Sequence, residues 1–160
     1  MLLRAVLAFM ALPGVVAFAV PAIIASASAA RLRPGPKGVI LFAGGLLMLV
    51  WCVVAFYRQG QGTLAPWSPP RVLVTEGIYA LTRNPMYVAV VTMLIAWAVL
   101  FRSPVLALYA AMIAIVFHLR VVLGEEPWLA KTHGAHWQQY KARVPRWLPR
   151  LFRQESNDAA

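Results

Sequence analysis

Four long stretches of apolar residues constrain this chain more than any other feature of its sequence. They cover residues 5–30, 39–57, 86–101 and 105–123, and the first carries no charge over 26 residues. A helix needs about 20 apolar residues to cross a hydrocarbon core, and a backbone exposed to lipid must satisfy its own hydrogen bonds. The pattern therefore predicts an all-α, polytopic transmembrane bundle of four, at most five, membrane helices.

The composition agrees with this fold class. The chain is 61% hydrophobic and 12% charged, with a mean hydropathy of +0.70, whereas soluble domains are about a quarter charged. Its 160 residues leave little room beyond the spans. We expect a single membrane domain over 1–160, with an N-terminal two-helix part at 1–57 and a flexible tail at 154–160.

The net charge of +10 raises the question of nucleic acid. The basic residues fall between and after the apolar stretches, and they form no basic helix or RNA-binding motif. We therefore expect the membrane surface, and not nucleic acid, as the partner of these charges.

The first apolar stretch has two interpretations. Arg4, the apolar run behind it and the small residues at 25–27 imitate a cleavable secretory signal. The uncharged run is longer than the apolar part of such a signal. We interpret it as a retained first span.

The third and fourth apolar stretches are separated only by Arg102, Ser103 and Pro104. A break this short predicts a tight helical hairpin, so the two helices are antiparallel neighbours. The segments before the third stretch and after the fourth therefore return to the same side of the membrane.

Basic residues set the predicted orientation. Six of them follow Gly124, namely Lys131, Lys141, Arg143, Arg146, Arg150 and Arg153. By the positive-inside rule the C-terminus is cytoplasmic, in the cytoplasmic membrane if the protein is bacterial. With four crossings, Arg31, Arg33 and Lys37 would then face outward, which disagrees with the same rule.

Two polar clusters flank the hairpin, where polar groups are costly and often functional. Their distinctive residues are Gly77, Tyr79, Arg83-Asn84-Pro85-Met86-Tyr87, Glu125-Glu126-Pro127-Trp128-Leu129, Tyr140 and Val144-Pro145-Arg146. In this order and spacing, the part at 72–149 resembles the isoprenylcysteine carboxyl methyltransferase and phospholipid methyltransferase superfamily. The family's usual His after the Arg is Asn84 here, which puts a proton-acceptor role at this position in doubt.

The resemblance implies a membrane-embedded enzyme with a cytoplasmic C-terminal cofactor-binding region. It would transfer a methyl group from S-adenosylmethionine, leaving S-adenosylhomocysteine, to a lipophilic or amphiphilic acceptor. The acceptor would be an isoprenylcysteine-type carboxylate, a phospholipid amine, or another lipid or small hydrophobic thiol or acid.

Candidate roles follow from the chemistry of the residues in these motifs. We expect Arg83, Asn84 and Tyr87 to be catalytic, and Arg83 and Arg146 to bind substrate, since a guanidinium grips a carboxylate well. Carboxylates can accept from ribose hydroxyls or an amino group, and aromatic rings attract a sulfonium as they do other cations. The cofactor-binding candidates are Gly77, Tyr79, Asn84, Pro85, Tyr87, His118, Glu125, Glu126 and Tyr140.

Structural interpretations of the same residues remain open. The two glutamates could form a solvated helix end at the interface, and Arg83 could be a topological anchor. The tryptophans are interpreted as interfacial aromatics and not as parts of a pocket; these are Trp67, Trp128, Trp137 and Trp147. His133 and His136 have a spacing that zinc sites use, but no third ligand is evident, so we expect no metal.

Two other functions compete with methyl transfer. A membrane reductase would need a site for a nicotinamide cofactor. A non-catalytic scaffold or transporter would leave the clustering of arginine, glutamates and tyrosines unexplained, and the first two apolar stretches contain no acid that could serve transport.

Overall fold

The computed structural model describes residues 10–59 and 73–148, and all regular structure within these ranges is helical. The flexible tail expected at 154–160, Trp67 and the first residues of the chain lie outside these ranges. A π-helical segment (Met10–Ala19) leads into α1 (Val20–Ala27), followed by α2 (Pro36–Gln59), a 3₁₀ turn (Gly77–Ala80), α3 (Pro85–Phe101), α4 (Pro104–Arg120), a π-helical turn (Val121–Glu125) and α5 (Glu126–Arg143).

Two helices have the length and apolar composition of a membrane crossing. They are α2 over Pro36–Ala55 and the continuous helical run Pro104–Arg143, while Pro13–Ala27 and Pro85–Phe101 are apolar but shorter. The described parts of all four apolar stretches are helical, as predicted, except residues 28–30, which form the turn after α1. The number of crossings and the side that each end faces stay predictions.

Helices α2 and α3 pack closely because glycines of α2 face side chains of α3. A Cβ atom built on Gly45 would lie 2.7 Å from Met93 Cγ and 3.1 Å from the backbone oxygen of Ala89. Near the start of α2, Gly38 meets Leu100 near the end of α3 in the same way, at 2.7 Å. The two helices are therefore antiparallel, with backbones closer than larger residues would allow.

The predicted hairpin joins α3 to α4 through a sharp turn. Arg102 ends α3 in the left-handed conformation, with φ of 46°. Ser103 then caps α4 by accepting a hydrogen bond from Leu106 N at 3.4 Å, and Pro104 begins the helix, where its missing N–H costs nothing. The turn returns the chain alongside α3, as expected.

The chain stays helical where the sequence turns polar after α4. The π-helical turn Val121–Glu125 inserts a wider turn and runs directly into α5, which redirects the side chains that follow it. Interpreting the glutamate pair as a helix end is therefore wrong, since the helix continues to Arg143. Gly134, with φ of 48°, breaks the helical geometry inside α5 and sets the direction of its second half.

Candidate active site

The two polar clusters meet through hydrogen bonds between the loop before α3 and the segment after α5. Arg83 N–H donates to the oxygen of Pro145 at 2.9 Å. The Arg146 oxygen accepts from Thr82 Oγ1 and from Asn84 Nδ2, each at 3.1 Å. The expectation that the hairpin brings the clusters together is confirmed by these contacts.

Glu126 is the centre of the site. Its Oε1 accepts from Arg83 Nη1 at 2.9 Å and from Arg146 Nε at 2.7 Å, and its Oε2 accepts from Arg146 Nη2 at 2.9 Å. The Glu126 side chain is only 11% exposed. A carboxylate this buried is stable as a charge only when it is paired and hydrogen-bonded, which the two guanidiniums achieve.

Arg83 is almost enclosed, with 8% of its side chain exposed. Its Cζ lies 5.4 Å from the ring centroid of Trp137, within the range of a cation–π contact. Burial lowers the pKa of Arg83 from its usual value, and the Glu126 carboxylate opposes that shift. The buried Nε of Arg83 finds no hydrogen-bond acceptor among the described residues.

Trp137 belongs to the site and was missed by sequence reasoning. It is 3% exposed and packs under Arg83, so its interpretation as an interfacial aromatic is wrong. The signal that could have found it is its spacing of three residues from Tyr140, which puts both rings on one face of α5. By contrast, Trp128 is 40% exposed.

Glu125 forms a second, more open group. Its Oε1 accepts hydrogen bonds from Arg120 Nε at 2.9 Å and from the hydroxyl of Tyr87. The ring of Tyr87 packs on that of Phe117, with 4.5 Å between the ring centroids. About a third of the Glu125 side chain is exposed, at 34%. Its Oε2 has no hydrogen bond to any described residue, so this oxygen can accept from a ligand.

Two buried tyrosines close the inner wall of the site. Tyr140 donates from its hydroxyl to the backbone oxygen of Tyr79 at 2.7 Å. This bond ties α5 to the 3₁₀ turn, which begins at Gly77 with φ of 63°. Both tyrosines therefore help to fix the shape of the site.

The remaining predicted residues lie around this centre. Asn84 precedes α3 and Pro85 is its first residue, so the prediction that Pro85 starts the helix is confirmed. His118 lies two turns before Glu125 on α4, and its Nδ1 accepts from Trp147 Nε1 at 3.3 Å. His118 therefore contacts the segment after α5 and not the glutamates.

The charges at the site suit an anionic ligand group. Of the two guanidiniums that bind Glu126, Arg146 is the one that a ligand can reach, because 31% of its side chain is exposed and only 8% of that of Arg83. Its hydrogen bond to Glu126 raises the pKa of Arg146 above the usual value, so it stays positive. Within the described ranges, no three His, Cys, Asp or Glu side chains come together as a metal site would require.

This chain is similar to one protein family and to two known proteins. The model of the phospholipid methyltransferase family matches residues 37–136. A nickel-cobalt-cadmium resistance protein of Alcaligenes xylosoxydans xylosoxydans is 32% identical over 133 residues, which cover 81% of this chain and 55% of the relative. The protein-S-isoprenylcysteine O-methyltransferase of Schizosaccharomyces pombe is 31% identical over 78 residues, which cover 49% of this chain and 33% of that enzyme.

This chain therefore spans about half the length of the first relative, at 55%, and a third of the second, at 33%. No solved structure matches the chain significantly.

Proposed function

Since this chain belongs to the phospholipid methyltransferase family, we propose that it is an integral membrane methyltransferase that uses S-adenosylmethionine. The methyl group would pass to a lipophilic or amphiphilic acceptor. One observation carries the proposal: Arg83 before α3 and Arg146 after α5 both bind Glu126. This contact draws the two motif clusters into one polar site at the end of an apolar helical hairpin.

The accessible groups of the site fit the functional groups of the cofactor. S-adenosylmethionine has a carboxylate acceptor, and ribose hydroxyls and an amino group as donors. The partly exposed Arg146 can donate to the cofactor carboxylate, and Oε2 of the partly exposed Glu125, which has no donor in the described part of the chain, can accept from the hydroxyls or the amino group. When bound, the cofactor supplies a methyl group on a sulfonium, whose transfer needs alignment more than acid or base strength.

Some residues of the site bind the ligand, and others fix the positions of the ligand-binding residues. Glu125 accepts from the cofactor, and Arg146 binds a carboxylate or phosphate of cofactor or acceptor. Glu126 and Arg83 position Arg146, and Tyr87 positions Glu125. Of the other candidates for cofactor binding, Gly77, Tyr79, Pro85, His118 and Tyr140 remain proposed contacts, whereas Asn84, Tyr87 and Glu126 are given positioning roles.

Asn84 has a positioning role in this proposal. Its amide Nδ2 donates to the backbone oxygen of Arg146, which fixes the segment that carries the accessible guanidinium. An amide is a poor proton acceptor, and in-line methyl transfer to an ionised carboxylate needs none. This chemistry favours an acceptor that arrives already deprotonated.

The acceptor would enter from the bilayer and the cofactor from the cytosol. Four helices would cross the membrane, and the C-terminus and active site would face the cytoplasm, where free S-adenosylmethionine is found. Both acceptor types, an isoprenylcysteine-type carboxylate and a phospholipid amine beside its phosphate, offer an anion for Arg146.

The proposal is tested first by cofactor binding. Calorimetry of the purified protein in detergent micelles should detect S-adenosylmethionine and S-adenosylhomocysteine, and not NADPH. Absence of binding at millimolar cofactor, in protein shown to be folded, would overturn the proposal, and binding of NADPH alone would favour a reductase.

Transfer is then measured with radiolabelled methyl groups. A farnesylated cysteine derivative and phosphatidylethanolamine serve as the two acceptors, each in mixed micelles. Label in one of them identifies the acceptor type.

A further inference from the structure

The end of the bundle opposite the candidate active site carries a cluster of cations. It consists of Arg31 and Arg33 between α1 and α2, Lys37 in the first turn of α2, and Arg102 between α3 and α4. The two turns are in contact, because Arg33 N–H donates to the backbone oxygen of Leu100 at 2.7 Å. We call these four residues the basic end.

The basic end has no acidic counterpart in the described part of the chain. The acids there are Glu76, Glu125 and Glu126, and all of them lie at the opposite end, beside the start of α3 or the end of α4. The ion pairs of Arg83, Arg120 and Arg146 are formed at that end as well. The charge of the basic end is therefore not neutralised by any described carboxylate.

An apolar groove of about 640 Å³ begins at the basic end and runs between α3 and α4. Arg102 and Ser103 lie at its mouth, and small side chains such as Ala98, Ala107 and Ala111 form its walls. It opens on the outer surface of the bundle, where Ala107 and Ala111 are exposed. The groove is therefore an apolar surface with a positive charge at one end.

The length of the groove matches one leaflet of a bilayer. Its lining runs from Val91 to Arg102 along α3, which rises about 16 Å at about 1.5 Å per residue. Half of a hydrocarbon core about 30 Å thick is about 15 Å. An acyl chain that starts at the Arg102 turn would thus follow the groove to the middle of the membrane.

We propose that the groove between α3 and α4 binds an acyl chain of an anionic phospholipid, whose phosphate contacts Arg102 at the basic end. This site is separate from methyl transfer and does not depend on it. A bound anionic lipid also neutralises the cations that the positive-inside rule disfavours on an outward face. A second copy of the chain is a poor occupant, because its own basic end would be brought against the first.

The experiment compares lipids and variants in the full-length protein. Native mass spectrometry and thermal unfolding are measured in mixed micelles with phosphatidylglycerol or phosphatidylcholine of the same acyl chains. Arg102→Asn removes the charge with a residue that tolerates the left-handed conformation, and Ala111→Leu fills the groove. Arg143→Gln removes a charge from the other end, and Ala43→Leu enlarges an exposed alanine of α2 outside the groove.

We expect phosphatidylglycerol to be retained and to raise the unfolding temperature more than phosphatidylcholine does. Arg102→Asn should weaken its binding about fivefold, the effect of one basic charge near an anionic surface. Ala111→Leu should weaken binding of both lipids, and the two controls should bind as the wild type does.

Several results would overturn the proposal. Equal retention of the two lipids would do so without any variant. Wild-type binding by both Arg102→Asn and Ala111→Leu would also do so, as would equal stabilisation by inorganic phosphate alone. A dimer in micelles that Ala111→Leu dissociates would assign the groove to a second copy.

Discussion

Arg146 binds Glu126 through two parallel hydrogen bonds, Nε to Oε1 at 2.7 Å and Nη2 to Oε2 at 2.9 Å. The pair joins the segment after α5 to the first turn of the same helix. Because Arg83 binds the same carboxylate from the loop before α3, one glutamate fixes three separate parts of the chain. The candidate site is therefore held by a charge network and not by apolar packing alone.

The two-bond geometry predicts that lysine cannot replace Arg146. Arg146→Lys keeps the charge but offers a single donor point, so it cannot reproduce the planar fork. We expect loss of most methyl transfer and about tenfold weaker cofactor or acceptor binding, since a hydrogen bond to a charged group contributes about 1.5–3 kcal/mol. Arg143→Lys, at an exposed position, is the control. Wild-type transfer by Arg146→Lys would remove the fork from the mechanism.

The adjacent glutamates should respond differently to neutralisation. Glu126→Gln leaves the enclosed Arg83 without its charge partner, which for a buried pair costs about 3–5 kcal/mol. Glu125 lies in a more exposed pair that contributes about 0–1 kcal/mol, so Glu125→Gln should remain folded and bind S-adenosylmethionine about ten- to a hundredfold more weakly. Thermal unfolding in micelles and calorimetry separate the two effects. Equal stability of the two variants would contradict this division of roles.

The helices and the meeting of the motif clusters were predictable from the sequence. Apolar stretches in a bilayer must be helical, and a three-residue break at Arg102, Ser103 and Pro104 leaves only an antiparallel hairpin. Both inferences depend only on the apolar composition and on the short distance in sequence between two helices, so the sequence alone is enough to make them.

The details inside the site were not predictable in the same way. The π-helical turn before Glu126 is a local rearrangement that the sequence pattern does not mark. The contacts that select Arg83 and Arg146 as partners of Glu126 join residues that are distant in sequence, and no periodicity encodes them. The frequency of tryptophan at membrane interfaces predicts an interfacial position for Trp137, whereas its burial depends on packing against Arg83.

The contact between Arg83 and Trp137 predicts a graded effect of aromatic substitution. Trp137→Phe keeps a ring face under the guanidinium, whereas Trp137→Leu removes it, and a desolvated cation–π contact contributes about 2 kcal/mol. We expect the leucine variant to unfold at a lower temperature than the phenylalanine variant. Trp128→Leu, at an exposed tryptophan, should have little effect. A double-mutant cycle with Arg83→Met isolates the pair, and an interaction energy near zero would contradict the contact.

The Asn84 amide predicts which substitutions the position tolerates. Asn84→His keeps an N–H donor that can reach the oxygen of Arg146, so it should retain stability and at least part of the transfer activity. Asn84→Asp puts an acceptor against that oxygen and should lose both. Activity is measured across pH, because a histidine that acts as a proton acceptor would add a new ionisation to the profile. Equal activity of the two variants would show that the amide contact is dispensable.

Arg83 provides the sharpest test of a positioning role, because it contacts Glu126 and Trp137 while remaining almost closed to solvent. Arg83→Lys keeps the positive charge, yet an ammonium has no planar surface to pack on the indole ring. It also cannot reproduce the donor geometry with which the guanidinium binds Glu126. We expect the variant to fold with a lower unfolding temperature and to lose most turnover at saturating cofactor. If Arg83 acts through Glu126 and Arg146, kcat should fall more than the affinity for S-adenosylmethionine. A topological anchor would be replaced fully by lysine, so near wild-type turnover by Arg83→Lys, with Arg143→Lys as the matched exposed control, would contradict the positioning role and leave Arg146 and Tyr87 as the residues to test next.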